Sequence, residues 1–405
     1  MIKRLSNRAS IISPSATMSL NAKTKALIKS GKNIINMSVG EPDLRPPMSA
    51  SLAGIQAIVN GQTGYTPASG LIELREAIAQ YLVEKTGISY EPTQIVASAG
   101  GKQPLYNTFQ VICDEGDEVI LPSPYWVSYP EQIKLAGATP VIVRCDETTD
   151  FKMGPEQLAQ HISGRTKAVI ITSPNNPTGS VYSREELKEI GLVLKDRPGI
   201  YIICDEIYDR FVYEGEHVSL VSLFPELSDR IILTNGFSKV FAMTGWRLGY
   251  TASSLDIAEA ISSFQSHATG SPSTISQIAG IAAFDSFDES MVAEYRNRRD
   301  LLLSGLNKIE GIECSVPQGA FYAFPKVSNF IGSEFQGKQI SDINQFCDLL
   351  LEDQLISVVP GSAFGEPNNI RLNFAVSTEL ILEAIQRIRN FTEKLNFLET
   401  KSRRL

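Results

Sequence analysis

Cysteine, histidine and long apolar runs are scarce in this chain of 405 residues, and each scarcity excludes something. The five cysteines, Cys113, Cys145, Cys204, Cys314 and Cys347, stand no closer than 32 residues apart. That leaves no CxxC pair, no zinc knuckle and no disulfide framework, and it predicts reduced core thiols in a cytoplasmic protein. The three histidines, His161, His217 and His267, lack the spacing of a metal site. Leaving glycine aside, the longest apolar runs, such as Ala168–Ile171 and Ile200–Cys204, hold four or five residues. A membrane span needs about 20. The basic start, MIKRLSNRAS, is followed by no apolar h-region or cleavage site, so no secretory leader is expected. Positive charge is in deficit as well: 37 Lys and Arg against 45 Asp and Glu leave a net charge of −8. That balance argues against nucleic acid or an anionic membrane as the main partner.

What remains is a globular composition, 43% hydrophobic and 20% charged, with length for two or three packed units. From Gln94 to Tyr250, short β-branched runs alternate with helical stretches. The runs are Gln94–Ser98, Glu118–Pro122, Pro140–Arg144, Ala168–Thr172, Ile200–Cys204, Arg230–Asn235 and Leu248–Ala252. Such continuous apolar runs predict strands buried on both faces of a largely parallel sheet in an α/β unit. Ser183 with Glu186 three residues on forms a capping box for a helix over Ser183–Lys195. A second strong helix, Leu71–Lys85, follows the long loop GQTGYTPASG. After Met291 the pattern changes to a smaller α+β arrangement. Its strands are Phe321–Phe324, Leu355–Val359 and Ile370–Ala375, and its helices are Ile340–Glu352 and Glu379–Leu395. The charged stretch Tyr295–Ile309, with its RNRRD run, reads as a solvated helix face. The first 45 or so residues hold a loop and one helix, too little to stand alone, and are expected to pack on the C-terminal part.

Five segments carry chemistry. Ser98-Ala99-Gly100-Gly101-Lys102-Gln103 lies between a strand and a helix, where glycines and a helix N-terminus suit an anion. A tight strand–helix turn needs glycine anyway, so this segment alone leaves the matter open. Ser173-Pro174-Asn175-Asn176-Pro177-Thr178-Gly179 places two amides at a strand's C-terminal end, either an ordinary turn or part of a ligand site at the sheet's mouth. Cys204-Asp205-Glu206-Ile207-Tyr208 ends an apolar strand on a carboxylate, which either caps the next helix or awaits a cation such as a protonated ring nitrogen. Lys239 stands in an apolar, aromatic setting eight residues before Arg247. Desolvation and a neighbouring cation both favour a neutral amine able to form a Schiff base. Arg371, inside Asn369-Ile370-Arg371-Leu372-Asn373-Phe374, requires a carboxylate, from a bound acid or from an internal salt bridge.

In this order and spacing the segments resemble the pyridoxal 5′-phosphate (PLP)-dependent aminotransferases of fold type I, class I/II. The resemblance runs from SPSAT at Ser13–Thr17 to the Arg371 strand, through SPNNPTG, CDEIY and NGFSKVFAMTGWRLGY. AGGKQPLYN, SPYWVSYPE and VPGSAFG look like the bacterial aspartate aminotransferase subgroup Ibeta, whose relatives include prephenate aminotransferases. The resemblance implies a large domain, residues 49–290, built on a mostly parallel seven-stranded sheet. It also implies a small α+β domain made of residues 1–48 and 291–405.

The same resemblance implies roles. Lys239 carries PLP and shuttles the proton, Asp205 pairs with the ring nitrogen, and Tyr208 and Asn176 hold the phenolic oxygen. The Gly100, Gly101 and Lys102 backbone, Ser238 and Arg247 hold the phosphate, and Trp126 stacks on the ring. Tyr65 reaches the phosphate in the partner subunit of a homodimer with shared sites. Arg371 takes the substrate α-carboxylate and Gly40 lines the same site. Lys102, through its side chain, meets a distal carboxylate, which favours ping-pong transamination between aspartate and 2-oxoglutarate. Relatives that accept prephenate usually carry a cationic residue where this chain has Ser13. The alternatives are an aminotransferase for aromatic, kynurenine-like or prephenate substrates, a PLP β-lyase, or a PLP-binding regulator without catalysis.

Overall fold

The computed structural model describes residues 5–396. A short first strand, β1 (Ile35–Asn36), precedes seven that form one sheet. These are β2 (Ile95–Ser98), β3 (Glu118–Ser123), β4 (Thr139–Arg144), β5 (Thr166–Thr172), β6 (Tyr201–Asp205), β7 (Ile231–Gly236) and β8 (Gly249–Ala252). Their spatial order is β2-β8-β7-β6-β5-β3-β4. Each coincides, within a residue or two, with one of the seven apolar runs. Alternate side chains serve opposite faces. Val119, Leu121, Ile170 and Ile203 pack with Phe109, Ile133 and Ile261 of helices on one side. Ile120, Val169, Ile202 and Leu233 pack with Ile78, Ile190 and Ala279 of helices on the other.

Two departures from the expected sheet have physical causes. Burial on both faces fails at β4, whose Thr139, Ile142 and Arg144 are exposed, because β4 is the sheet edge with β3 its one strand neighbour. Pro140, which has no N–H to donate, is tolerated there. Strand β8 runs antiparallel to both β2 and β7, while the other pairings are parallel. The reversal has a use. Ser98, Gly249 and Gly236 lie abreast, so the segment Phe237–Leu248 returns along the edge where the parallel strands end. The three segments after β2, β5 and β6 open at that same edge.

The C-terminal strands are β9 (Tyr322–Ala323), β10 (Glu334–Phe335), β11 (Lys338–Gln339), β12 (Ile356–Ser357), β13 (Val359–Pro360) and β14 (Ile370–Asn373). The antiparallel trio β13-β14-β9 carries Arg371. Leu355–Val359, expected as one strand, divides in two. Leu355 adopts φ 56°, Ile356 pairs with Ile35, and Val359 pairs with Arg371. The N-terminal segment has two helices, Asn7–Ile11 and Ala16–Lys29, where one was expected. It is tied to the C-terminal part by the parallel β1–β12 pairing, by Lys23 to Asp348 at 2.9 Å and by Thr24 to Ser357 at 2.8 Å.

The RNRRD run is a solvated face only in part: Arg296, Asn297 and Asp300 are exposed, but Arg298 is half-buried and Arg299 buried. Arg299 is 3% exposed and bonds Pro317 O and Glu214, with its guanidinium 5.2 Å from the Tyr213 ring. Arg298 is held by Asp43 at 2.7 Å and Glu294 at 2.8 Å, and Arg296 donates to Tyr213 O. Loops distant in sequence supply the partners that make this burial tolerable, so helix periodicity alone could not reveal it.

Candidate active site

Four turns and one strand meet at a cavity of about 450 Å³. The helix Lys102–Ile112 begins beside it, with Gly101 at its N-cap. Gly100 takes φ +73°, and a Cβ there would collide with the Arg247 guanidinium. Gly249 faces the Gly100 and Gly101 backbone so closely that a Cβ would sit 2.7 Å from Gly100 C. The glycines therefore allow backbone, helix N-terminus and Arg247 to crowd one place, which is what an anion needs.

The two amides of the next turn divide the work. Asn175 Oδ1 accepts from Thr178 N and Oγ1 and so shapes the turn. Asn176 lines the cavity and accepts from Arg371 Nη1 at 2.9 Å. Arg371 Nη2 donates to Ser38 O at 2.6 Å, its Nε is buried without a partner, and its guanidinium lies 4.5 Å from the Tyr322 ring. Burial lowers its pKa. The internal salt bridge considered for Arg371 is not there among the described residues.

Asp205 ends β6 with its carboxylate in the cavity. It accepts from Tyr129 Oη at 2.6 Å and from Ile207 N at 3.3 Å. Residues after it form turns rather than a helix, so it caps none. Burial pushes its pKa up to about 6, against the pull of those two donors. Tyr208 Oη lies 2.8 Å from Tyr322 Oη. Lys239 is half-buried at the cavity wall and donates to Gly40 O. Burial brings its amine down to about 8; Arg371 and Arg247 add to this, and Glu41 opposes it. Lys102 is lowered too, by burial and by Arg247, and its amine sits 5.2 Å from the centre of the Trp126 ring.

The structure thus brings Gly40, Gly101, Lys102, Trp126, Asn176, Asp205, Tyr208, Ser238, Lys239, Arg247 and Arg371 to one cavity, with Gly100 immediately behind. It does not bring Tyr65, which is 104% exposed on its own chain. Sequence reasoning missed Tyr129, Tyr322, Ser38, Glu41 and the Ser15–Asn21 stretch, all of which line the cavity or bond its residues. Tyr129 lies in SPYWVSYPE, where no local pattern points to its distant partner Asp205. AFYAF read as plain strand core.

A half-buried lysine with a lowered pKa, a buried carboxylate with no ion-pair partner among the described residues and a glycine-lined anion cradle are the parts of a lysine-anchored PLP site. PLP fits these residues: Asp205 lacks the positive partner that a pyridinium nitrogen would be, and Arg247 with the helix N-terminus matches its phosphate. The comparisons with known proteins agree. The aminotransferase class I and II family matches residues 32–388. The aspartate aminotransferase of Bacillus subtilis is 42% identical over 96% of this chain and 99% of its own. A probable aspartate/prephenate aminotransferase of Aquifex aeolicus is 41% identical over 98% of this chain and 100% of its own. The crystal structure of the Rhizobium meliloti aspartate aminotransferase superposes with a TM-score of 0.92 at 36% identity, covering 97% and 100% of the two chains. The chain belongs to the class I and II aminotransferases. It is a PLP-dependent transaminase of α/β fold type I, acting on amino acids and their 2-oxo acids.

Proposed function

We propose that the enzyme is an aspartate aminotransferase, moving the amino group of L-aspartate to 2-oxoglutarate. One observation carries this reading. Arg371, Lys102, Lys239 and Arg247 line a single cavity, and among the described residues none forms an ion pair. A phosphate and two carboxylates balance Arg247, Arg371 and Lys102, leaving Lys239 for chemistry.

PLP, when bound, supplies the electron sink that makes the substrate Cα–H acidic. The residues then divide the labour. Arg371 binds the α-carboxylate through its fork of donors, and Lys102 Nζ takes the distal carboxylate. Lys239 Nζ, lowered to about 8 and so with a larger neutral fraction than an ordinary lysine, would accept the Cα proton and later return it. Asp205 presents a carboxylate to the ring nitrogen, oriented by Tyr129. With the cofactor bound, Tyr208 and Asn176 would donate to its phenolic oxygen, Trp126 would pack on it, and Ser238 with the Gly100–Lys102 backbone and Arg247 would hold its phosphate. The Ala16–Lys29 helix and the Ser13–Ser15 segment border the cavity and limit water.

The test is a substrate panel on the purified holoenzyme with Lys102→Met beside it. Losing a charged hydrogen bond is expected to cut kcat/KM for aspartate about 10- to 100-fold, with little effect on aromatic amino acids. Faster turnover of aromatic amino acids than of aspartate and glutamate in the parent enzyme sinks the reading. Prephenate belongs in the panel because a second cavity, about 640 Å³, adjoins the first and shares Lys102 with it. Position 13, where a cation is usual in relatives that accept prephenate, is Ser13 in this cavity, its backbone N–H bonded to Glu131 at 3.0 Å, so prephenate is expected to be the poorer substrate.

The proposal extends to organisation. Residues 49–290 act as the cofactor-binding unit, and residues 1–48 with 291–405 act as the smaller one. Two copies form a homodimer in which Tyr65 serves the other copy's phosphate. The support is the helix Met48–Val59, whose Ala50, Gly54 and Ala57 are buried while Met48, Leu52, Ile55 and Val59 form an exposed apolar stripe. The reading also places the enzyme in the cytoplasm, in keeping with five buried, unpaired cysteines. Among the described residues no helix is long and apolar enough to cross a membrane.

A further inference from the structure

We propose that Tyr322 is a positioning residue: its hydroxyl donates to Tyr208 Oη and so sets how strongly Tyr208 holds the phenolic oxygen of PLP, while its ring seats Arg371. The inference rests on the reading of Tyr208 as the hydroxyl that binds that oxygen. Tyr322 is 1% exposed, on β9, paired with Asn373 of the strand that bears Arg371. Its Oη lies 2.8 Å from Tyr208 Oη, and either can be the donor. A phenol has one proton to give. Once Tyr208 gives its own to a ligand, Tyr322 must supply the proton between them. Burial raises both phenols above their ordinary values, so each keeps its proton and can donate. Hydrogen bonds in series polarise one another, so Tyr322 strengthens what Tyr208 offers.

The hydroxyl has a space made for it. A Cβ on Gly40 would stand 2.5 Å from Tyr322 Oη, and Gly40 O is the acceptor of Lys239. The ring lies 4.5 Å from the Arg371 guanidinium, with Phe364 4.9 Å from the same group. One side chain therefore touches the carboxylate clamp and the residue that tunes the cofactor, and it bridges β9 to the end of β6.

The experiment titrates the visible absorption of the PLP-loaded protein against pH in the parent, Tyr322→Phe, Tyr208→Phe and the double variant. Negative charge grows on the phenolic oxygen when the proton it shares with Lys239 Nζ leaves. A weaker donor disfavours that form, so the midpoint should rise. The loss of one neutral hydrogen bond corresponds to about half to one pH unit for Tyr322→Phe. Tyr208→Phe should shift further, and adding Tyr322→Phe to it should change nothing. An unmoved midpoint in Tyr322→Phe, with Tyr208→Phe shifted, overturns the proposal and leaves the reading of Tyr208 intact. A Tyr322→Phe shift that persists in full on top of Tyr208→Phe also overturns it, since the effect would then bypass Tyr208. A Tyr208→Phe variant with an unmoved midpoint removes both. Gly40→Ala, which crowds the hydroxyl while keeping the phenol, should reproduce the Tyr322→Phe shift, and it carries the test should that variant fail to fold. The affinity of the cofactor-free proteins for PLP, read by fluorescence, should fall in the same order.

Discussion

Lys239 is costly to hold where it is. Its folded pKa of about 8 lies below the 10.5 of an ordinary lysine. Below pH 8 the amine is charged in both states and the burial penalty is full, on the order of 3 kcal/mol. Between 8 and 10.5 the unfolded chain binds more protons than the folded one, so stability rises with pH. Lys239→Met should therefore melt at a higher temperature than the parent when both are free of cofactor, with the gap closing from pH 8 upward. Calorimetry across that range checks it, and a variant less stable at neutral pH would be the contrary result. This is the stability that an active residue gives up for its function. Lys239, Asp205 and Arg371 were legible in the sequence because a charge inside an apolar run has few explanations. Tyr129 and Tyr322 were not, because a tyrosine in an apolar run needs none. Their hydroxyls find Asp205 and Tyr208 across 76 and 114 residues, a distance no local pattern spans.

Between residue and molecule lie the elements, and here packing overrides propensity at identifiable places. The helix Arg184–Lys195 starts as its capping box requires, with Ser183 Oγ accepting from Glu186 N at 3.2 Å and Glu186 Oε2 accepting from Ser183 N at 2.7 Å. Gly191 sits inside it, where alanine normally gains about 1 kcal/mol. A Cβ at Gly191 would overlap the Phe224 ring. Gly191→Ala is thus expected to lower stability by about 1–2 kcal/mol, since overpacking outweighs propensity; denaturant titration measures it. The strands were readable because buried parallel strands have to be apolar throughout. The direction of β8 was not, for an antiparallel strand covered on both faces has the same composition. The split at Val358 was hidden too: Ile356 and Val359 on either side are both apolar, and what differs is which strand each half meets.

At the scale of the molecule, the proposed homodimer would cover the exposed stripe Met48, Leu52, Ile55 and Val59 and give the solvent-exposed Tyr65 a site. If that proposal holds, Leu52→Glu combined with Ile55→Glu is expected to halve the molar mass seen by light scattering and to lower activity, since Tyr65 would lose its proposed site. A double variant that stays dimeric and active would show that the copies meet elsewhere. Composition gave no hint of this stripe, since Met48–Val59 is simply a good apolar helix until its neighbours are known. The pairing of Ile35 with Ile356, and of Arg371 with Ser38 O, also bears on the order of synthesis. Chains fold from the N-terminus as they emerge. Lys239, Asp205 and the glycine cradle exist well before Arg371 has been made, while β1 waits unpaired. A ribosome-bound chain can thus hold Lys239, Asp205 and the glycine cradle while Arg371 and Tyr322 are still missing. On the proposed roles, the clamp for the α-carboxylate is therefore made after the groups that would hold the cofactor.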